Sequence, residues 1–156
     1  MSLLNTFHWF EATRIGTYGR HSTYFFPSVE VGHLLGLTLL LGTVLVLNLR
    51  LLGAIMPRPS IPEVARATTP LLWTGAALTV GSGLLLFLAE AIKCYYNVAF
   101  WYKMVLLISA VVFQLVVHQR LKVASGLSTG LTKGTAVVSL LLWFGVAVAG
   151  RAIAFV

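Results

Sequence analysis

FFPSVEVGHLLGLTLLLGTVLVLNLR, residues 25–50, is an apolar run that opens with a glutamate and a histidine. A helix needs about 20 apolar residues to cross a hydrocarbon core of roughly 30 Å. The run therefore reads as a transmembrane helix, with Glu30 and His33 just inside its entrance. Whether that pair is incidental or forms a working site decides how the rest of the chain is read.

Three more runs follow. Together the four spans are expected near 27–55, 67–92, 98–121 and 134–156, within a single transmembrane domain covering residues 1–156. The composition agrees: of 156 residues 58% are hydrophobic and 10% are charged, against about 25% charged in soluble domains. None of the runs shows the strand alternation of a membrane barrel, and backbone polar groups in lipid must be paired within their own segment. The start, MSLLNTFHWFEATRIG, lacks the basic, apolar and small-residue regions of a signal peptide. Residues 1–24 precede the first span. Leu3, Leu4, Phe7, Phe10 and Ile15 recur there at rough helical spacing, with His8, Glu11 and Arg14 between them. The expected fold is all-α and integral to the membrane: a four-transmembrane-helix bundle with a short N-terminal amphipathic surface helix.

Four spans put both ends of the chain on one face of the membrane, side A. The proline-rich loop MPRPSIP, 56–62, and the glycine-rich loop ASGLSTGLTKG, 124–134, fall on the opposite face, side B. Arg50, Arg58, Arg66, Arg120, Lys122 and Lys133 gather on side B, while the flanks on side A hold Arg14, Arg20 and Lys93. The excess makes side B cytoplasmic by the positive-inside rule, with both termini periplasmic if the membrane is a bacterial inner membrane. The formal net charge of +7 is explained by these loops and helix ends. No basic face with interleaved aromatics suggests nucleic acid. Cys94 is the one cysteine, which excludes an internal disulfide or a CxxC pair.

Glu30, His33, Glu90, Lys103 and Arg151 come from four helices and fall at a similar depth near side A. Ionisable groups inside a membrane are costly and usually face a bundle interior where they find partners. One reading pairs the two glutamates with Lys103 and Arg151 as structural ion pairs. The other makes a site. Neutral imidazole ligates haem iron or copper. Glu30 shares a helix face with His33 and is placed to orient its second nitrogen. Lys103 and Arg151 are placed to meet haem propionates. Gly32 and Gly36 flank His33 at the GxxxG spacing, which serves close helix packing or gives room for a flat macrocycle. A second axial ligand is sought in Met104, His8 or His21, because His118 lies too far toward side B. For copper there is no Met-rich run, His-x-His or cysteine pair.

FPSVEVGHLLGLTLLLGTVLVLNLRLLG (26–53), EVARATTPLLWTGAALTVGSGLLLF (63–87) and NVAFWYKMVLLISAVVFQLVVHQRLK (97–122) resemble, in order, the first three helices of a superfamily of small bacterial membrane proteins. The superfamily includes the HemJ-type protoporphyrinogen oxidases and CopD-like copper-resistance membrane domains. HLLG at 33–36 and LRLLG at 49–53 are similar to an uncharacterised bacterial family of about this length. The HemJ resemblance implies His33 as ligand to haem b, with Lys103 and Arg66 in support. VLNLRLLGAIMP (46–57) departs from the aromatic, proline-containing exit of the oxidases' first helix, so oxidase activity itself is not implied. The function expected is a haem b redox protein passing electrons between a quinone or porphyrin-like donor and another carrier. Copper transport or resistance, and a structural accessory subunit of a homo-oligomer or larger membrane complex, are the alternatives.

Overall fold

The computed structural model describes residues 3–58, 60–123, 129–153 and 155. Parts of both side B loops (Pro59 and residues 124–128) and two residues of the expected fourth span (Ala154 and Val156) lie outside the described residues. Among the described residues seven helices follow in order: α1 Leu3–Glu11, α2 Arg14–His21, α3 Phe25–Leu52, α4 Ile61–Ala89, α5 Ala91–Tyr96, α6 Val98–Val123 and α7 Thr129–Ala152. Four of them, α3, α4, α6 and α7, are long and apolar enough to span a membrane.

Their ends follow local chemistry. Gly53 closes α3 in the left-handed conformation (φ 78°), with its N–H donated to the Arg50 carbonyl and that of Ala54 to Leu49. Ser60 opens α4 in a reciprocal capping box with Glu63, just ahead of Pro62. Pro70 lies inside α4 and has no N–H, so the helix loses one backbone bond there.

The spans form a ring in which α3 neighbours α4 and α7, and α6 neighbours α7 and α4. In lipid no hydrophobic force drives helices together, so close packing and interhelical hydrogen bonds must hold the ring. The tightest seam is α3 on α4. A Cβ on Gly36 would lie 2.8 Å from the Thr79 backbone nitrogen, and one on Gly75 would lie 2.7 Å from that of Leu40. Fully buried Ala65, Ala110 and Ala136 play the same part in two apolar layers, one around Leu47 and Leu51 toward side B, the other around Leu40, Val44 and Trp143. A polar layer ties three helices together. Asn48 of α3 donates to the Ser139 hydroxyl of α7 (2.9 Å), which donates to Gln114 Oε1 of α6 (3.1 Å). Toward side B, His118 and Thr69 hydrogen-bond at 3.0 Å. Thr69 also donates to the Ala65 carbonyl (2.8 Å), so His118 Nε2 carries the proton.

Two expectations are refined. The N-terminal segment is helical in two pieces, separated by a cap in which Thr13 accepts from the Gly16 N–H. Its pieces pack on the bundle end, α1 on α5 and α2 on α4, where buried Gly16 and Gly19 meet Leu88 and Ala89. The second span stops at Ala89 instead of running on through Ile92, because the backbone turns at Glu90 and restarts as α5. The cause is remote in sequence. The Glu11 carboxylate accepts from the Ile92 N–H (2.8 Å) and is held by Arg20. On α5, burial and the Glu90 carboxylate push the Cys94 thiol up to about 11, so it is neutral filler at ordinary pH.

The seam makes a prediction. Gly75→Ala forces two backbones apart and should destabilise the detergent-solubilised protein by about 1–3 kcal/mol, read as a lowered helix-melting midpoint. Gly42→Ala adds a methyl where nothing lies within 4 Å, and should leave the midpoint unchanged or slightly raised.

Candidate functional site

His33 lies two turns into α3, opposite the small-residue stretch Gly81-Ser82-Gly83 of α4. The closeness of the seam brings the ring onto that stretch: a Cβ on Gly83 would sit 3.1 Å from His33 Cε1. Gly83 is thus the glycine that makes room for the imidazole. Gly36 is spent on helix packing, and around Gly32 the space is open.

The hydrogen bonding fixes the ring's tautomer. Ser82 has one hydroxyl proton, and it is given to backbone, with the Leu78 carbonyl at 2.5 Å and that of Thr79 at 3.3 Å. The oxygen can then only accept from the ring, so His33 Nδ1, 3.0 Å away, carries the proton. Nε2 then keeps its lone pair, and the Thr79 backbone is the ring's other hydrogen-bond partner. An imidazole held this way by its outer nitrogen is the usual arrangement of a metal-binding histidine.

His33 lines a cavity of about 640 Å³ that receives residues from all four spans. Its walls are apolar. It lies between α4 and α6, where exposed Trp73, Val80 and Leu84 and, opposite them, Val111 border an opening onto the lipid-facing side of the bundle. Toward side A the end of the cavity is closed by Phe87 stacked on Phe100 (centroids 5.8 Å apart), with Phe7 of α1 packed edge-on behind Phe87. Toward side B it reaches Gln114 and Trp143. Concave, mostly apolar sites of this size with a few convergent polar groups are where small molecules bind.

Lys103 and Met104 line the same cavity as His33. The Lys103 side chain runs beside Gly150 of α7, where a Cβ would come within 3.6 Å of its Cε. Its ammonium, half-buried, has no hydrogen bond or ion pair among the described residues. Of the groups placed at one depth by the sequence, the fold brings His33 and Lys103 together, with Met104 beside them. It disperses the others. Glu30 is exposed, and Ser82 occupies the place at Nδ1 expected for it. Among the described residues neither Lys103 nor Arg151 is paired with a glutamate: Glu90 binds Lys93 at 3.2 Å on the surface, and Arg151 lies over the Phe155 ring at 4.4 Å. Arg66 is exposed in the second turn of α4, on the order of 24 Å along the helix from Ser82. His8 and His21 are exposed and line no part of the cavity. Among the described residues no three His, Cys, Asp or Glu side chains are grouped to hold a metal ion.

Sequence reasoning overlooked Ser82, Gly83, Thr79, Gln114 and Trp143. A signal for Ser82 was present: a serine between two glycines in an apolar helix, at the depth of His33 when both helices are counted from side A.

Residues 6–156 match the model of a family described as being of unknown function (DUF6644). No curated protein and no solved structure matches the chain.

The unpaired ammonium yields a prediction. A half-buried cation without a partner is a cost to the empty protein, so Lys103→Met should raise the melting midpoint of ligand-free protein, by on the order of 1 kcal/mol. A lowered midpoint would show that Lys103 already has a compensating partner.

Proposed function

We propose that this chain, a member of the DUF6644 family, is a haem b-binding membrane redox protein. The observation that carries the reading is His33: its Nδ1–H is engaged by Ser82, and its Nε2 keeps its lone pair beside an apolar cavity open to the bilayer. The donor set near it is one imidazole, one thioether and one cation. That set suits a metal that brings most of its own ligands in a flat macrocycle better than it suits a bare copper ion, which needs several protein ligands.

His33 Nε2 and the Met104 sulfur are the side-chain atoms of the cavity that would hold the metal. Lys103 would hold a carboxylate of the ligand, which supplies the partner its ammonium lacks and fixes which end of the molecule faces side A. Phe87 and Phe100 exclude water from that end. Ser82 sets the basicity and direction of the imidazole. A bound haem supplies one-electron chemistry at its iron, and the residues here bind it, orient it and keep it dry. The lateral opening favours exchange with a lipid-soluble carrier, a quinone or a porphyrin-like donor.

The protein purified from haem-replete cells should show a Soret band and a b-type reduced-minus-oxidised spectrum. His33→Ala should abolish both while membrane insertion and helix content persist. A wild-type protein that carries no haem and takes up none on titration sinks the reading and leaves the structural-subunit alternative standing.

The same reading places the site near the periplasmic face of a bacterial inner membrane, on the basic excess of the side B loops. A reporter active only in the cytoplasm should be active when inserted at the 124–134 loop and silent when fused to the C-terminus. The reverse pattern would move the site to the cytoplasmic face.

A further inference from the structure

The side B end of the bundle carries more positive charge than the chain itself can neutralise. Six basic residues gather there, Arg50, Arg58, Arg66, Arg120, Lys122 and Lys133, and the chain has four acidic residues in all. Glu11, Glu30 and Glu90 belong to the opposite end. The fourth, Glu63, accepts from the Ser60 N–H in the cap of α4. Arg120 lies in the last turn of α6, exposed, with no hydrogen bond or ion pair among the described residues. The connection that follows it, residues 124–128, contains no acidic residue. The counter-charge of Arg120 is therefore not a carboxylate of this chain's side chains.

Arg120 borders a second cavity, of about 320 Å³, in a groove between α6 and α7. Buried Val117 and Leu121 form its floor. Both belong to the apolar layer around Leu47 and Leu51, so the floor is a fixed part of the core. Phe113 and Val116 of α6 and Leu131 of α7 form the walls. Val116 and Leu131 are exposed on the lipid-facing surface, so the groove opens sideways into the bilayer. Phe113 stands seven residues before Arg120, about 10 Å along the helix. The groove thus begins at the level of the helix ends, under a cation, and continues into the hydrocarbon zone.

We propose that this groove binds an anionic phospholipid of the side B leaflet, its phosphate on Arg120 and the start of an acyl chain along the apolar walls. The chemistry selects the class. The ligand must carry an anion and hydrocarbon in one molecule, joined at the depth of the helix ends. A soluble anion would use Arg120 and leave the groove empty; a neutral apolar molecule would fill the groove and ignore Arg120. A guanidinium presents a fork of donors that matches phosphate oxygens. Basic pockets between transmembrane helices are sites where anionic headgroups bind. The excess of cations around Arg120 favours a headgroup with net negative charge over a zwitterionic one, whose own cation would be repelled. The proposal is independent of the haem reading: it concerns the other end of the bundle and different residues.

The test is native mass spectrometry of the detergent-purified protein titrated with dioleoylphosphatidylglycerol. Dioleoylphosphatidylcholine, with the same tails and no net charge, is the control, and oleate is the anion without a phosphate. Wild-type protein should retain phosphatidylglycerol at concentrations where neither of the others stays bound. Arg120→Gln should weaken phosphatidylglycerol binding roughly fivefold, the share of one basic residue beside an anionic headgroup. Lys133→Gln removes an exposed charge of the same face that does not line the groove, and should bind as the wild type does. Val116→Trp keeps every charge and fills the groove, and should weaken binding at least as much as Arg120→Gln. Both groove variants change exposed side chains by different routes, so if one lowers the melting midpoint the other decides. Equal retention of the two phospholipids by the wild type overturns the proposal. So does an equal loss in Arg120→Gln and Lys133→Gln, which would mean diffuse attraction, or unchanged binding in Val116→Trp. Oleate held as tightly as phosphatidylglycerol overturns the assignment to a phospholipid.

Discussion

The contact between α3 and α4 is the constraint on which the rest depends. Gly36 and Gly75 let two backbones approach to distances that no Cβ could share. That approach is what lays the His33 ring against Gly83 and brings its Nδ1 to the Ser82 hydroxyl. A helix serine gives its proton to the preceding turn as a matter of course. Here the habit has a consequence two atoms away, because a serine whose proton is committed can only accept, and the imidazole must then keep its own proton on Nδ1. Helix packing thus sets the protonation pattern of the one histidine in the cavity.

The other side of the bundle is built differently. Between α4 and α6 the packing is looser, and the space between them is the cavity. The bundle compensates elsewhere, through the Asn48–Ser139–Gln114 layer and the side B apolar layer around Leu47 and Leu51. Hydrogen bonds between membrane helices contribute on the order of 0.6 kcal/mol each, and up to about 1.7. The polar layer therefore adds modestly to stability, and fixes the rotation of three helices. One feature that costs stability, the half-buried Lys103 cation, lies at the cavity. Such a placement is expected where a binding site is kept at the expense of a tighter core.

Much of this was legible in the sequence because membrane helices obey few rules. Length and apolarity located the four spans, and depth counted from the helix ends placed His33 and Lys103 at one level. Depth says nothing of rotation about the helix axis. Glu30 shares the level but is exposed, Arg151 turns onto Phe155, and Glu90 falls in the break between α4 and α5. That break was hidden because the carboxylate that caps α5 comes from Glu11, far away in the chain. Ser82 was hidden for a related reason. A lone serine in a transmembrane helix carries no pattern of its own, and its role appears only when the histidine of another helix is set against it.

The most direct test of the account is the position of one proton. In haem-free protein with ¹⁵N-labelled histidine, the His33 ring can be assigned by comparison with His33→Ala and its two nitrogens read by NMR in detergent. The account predicts a protonated Nδ1 and an unprotonated Nε2, with the preference weakened in Ser82→Ala. A proton on Nε2 in the wild-type protein would contradict it, since the nitrogen required for a metal would then be occupied and Ser82 would not be holding the ring as described.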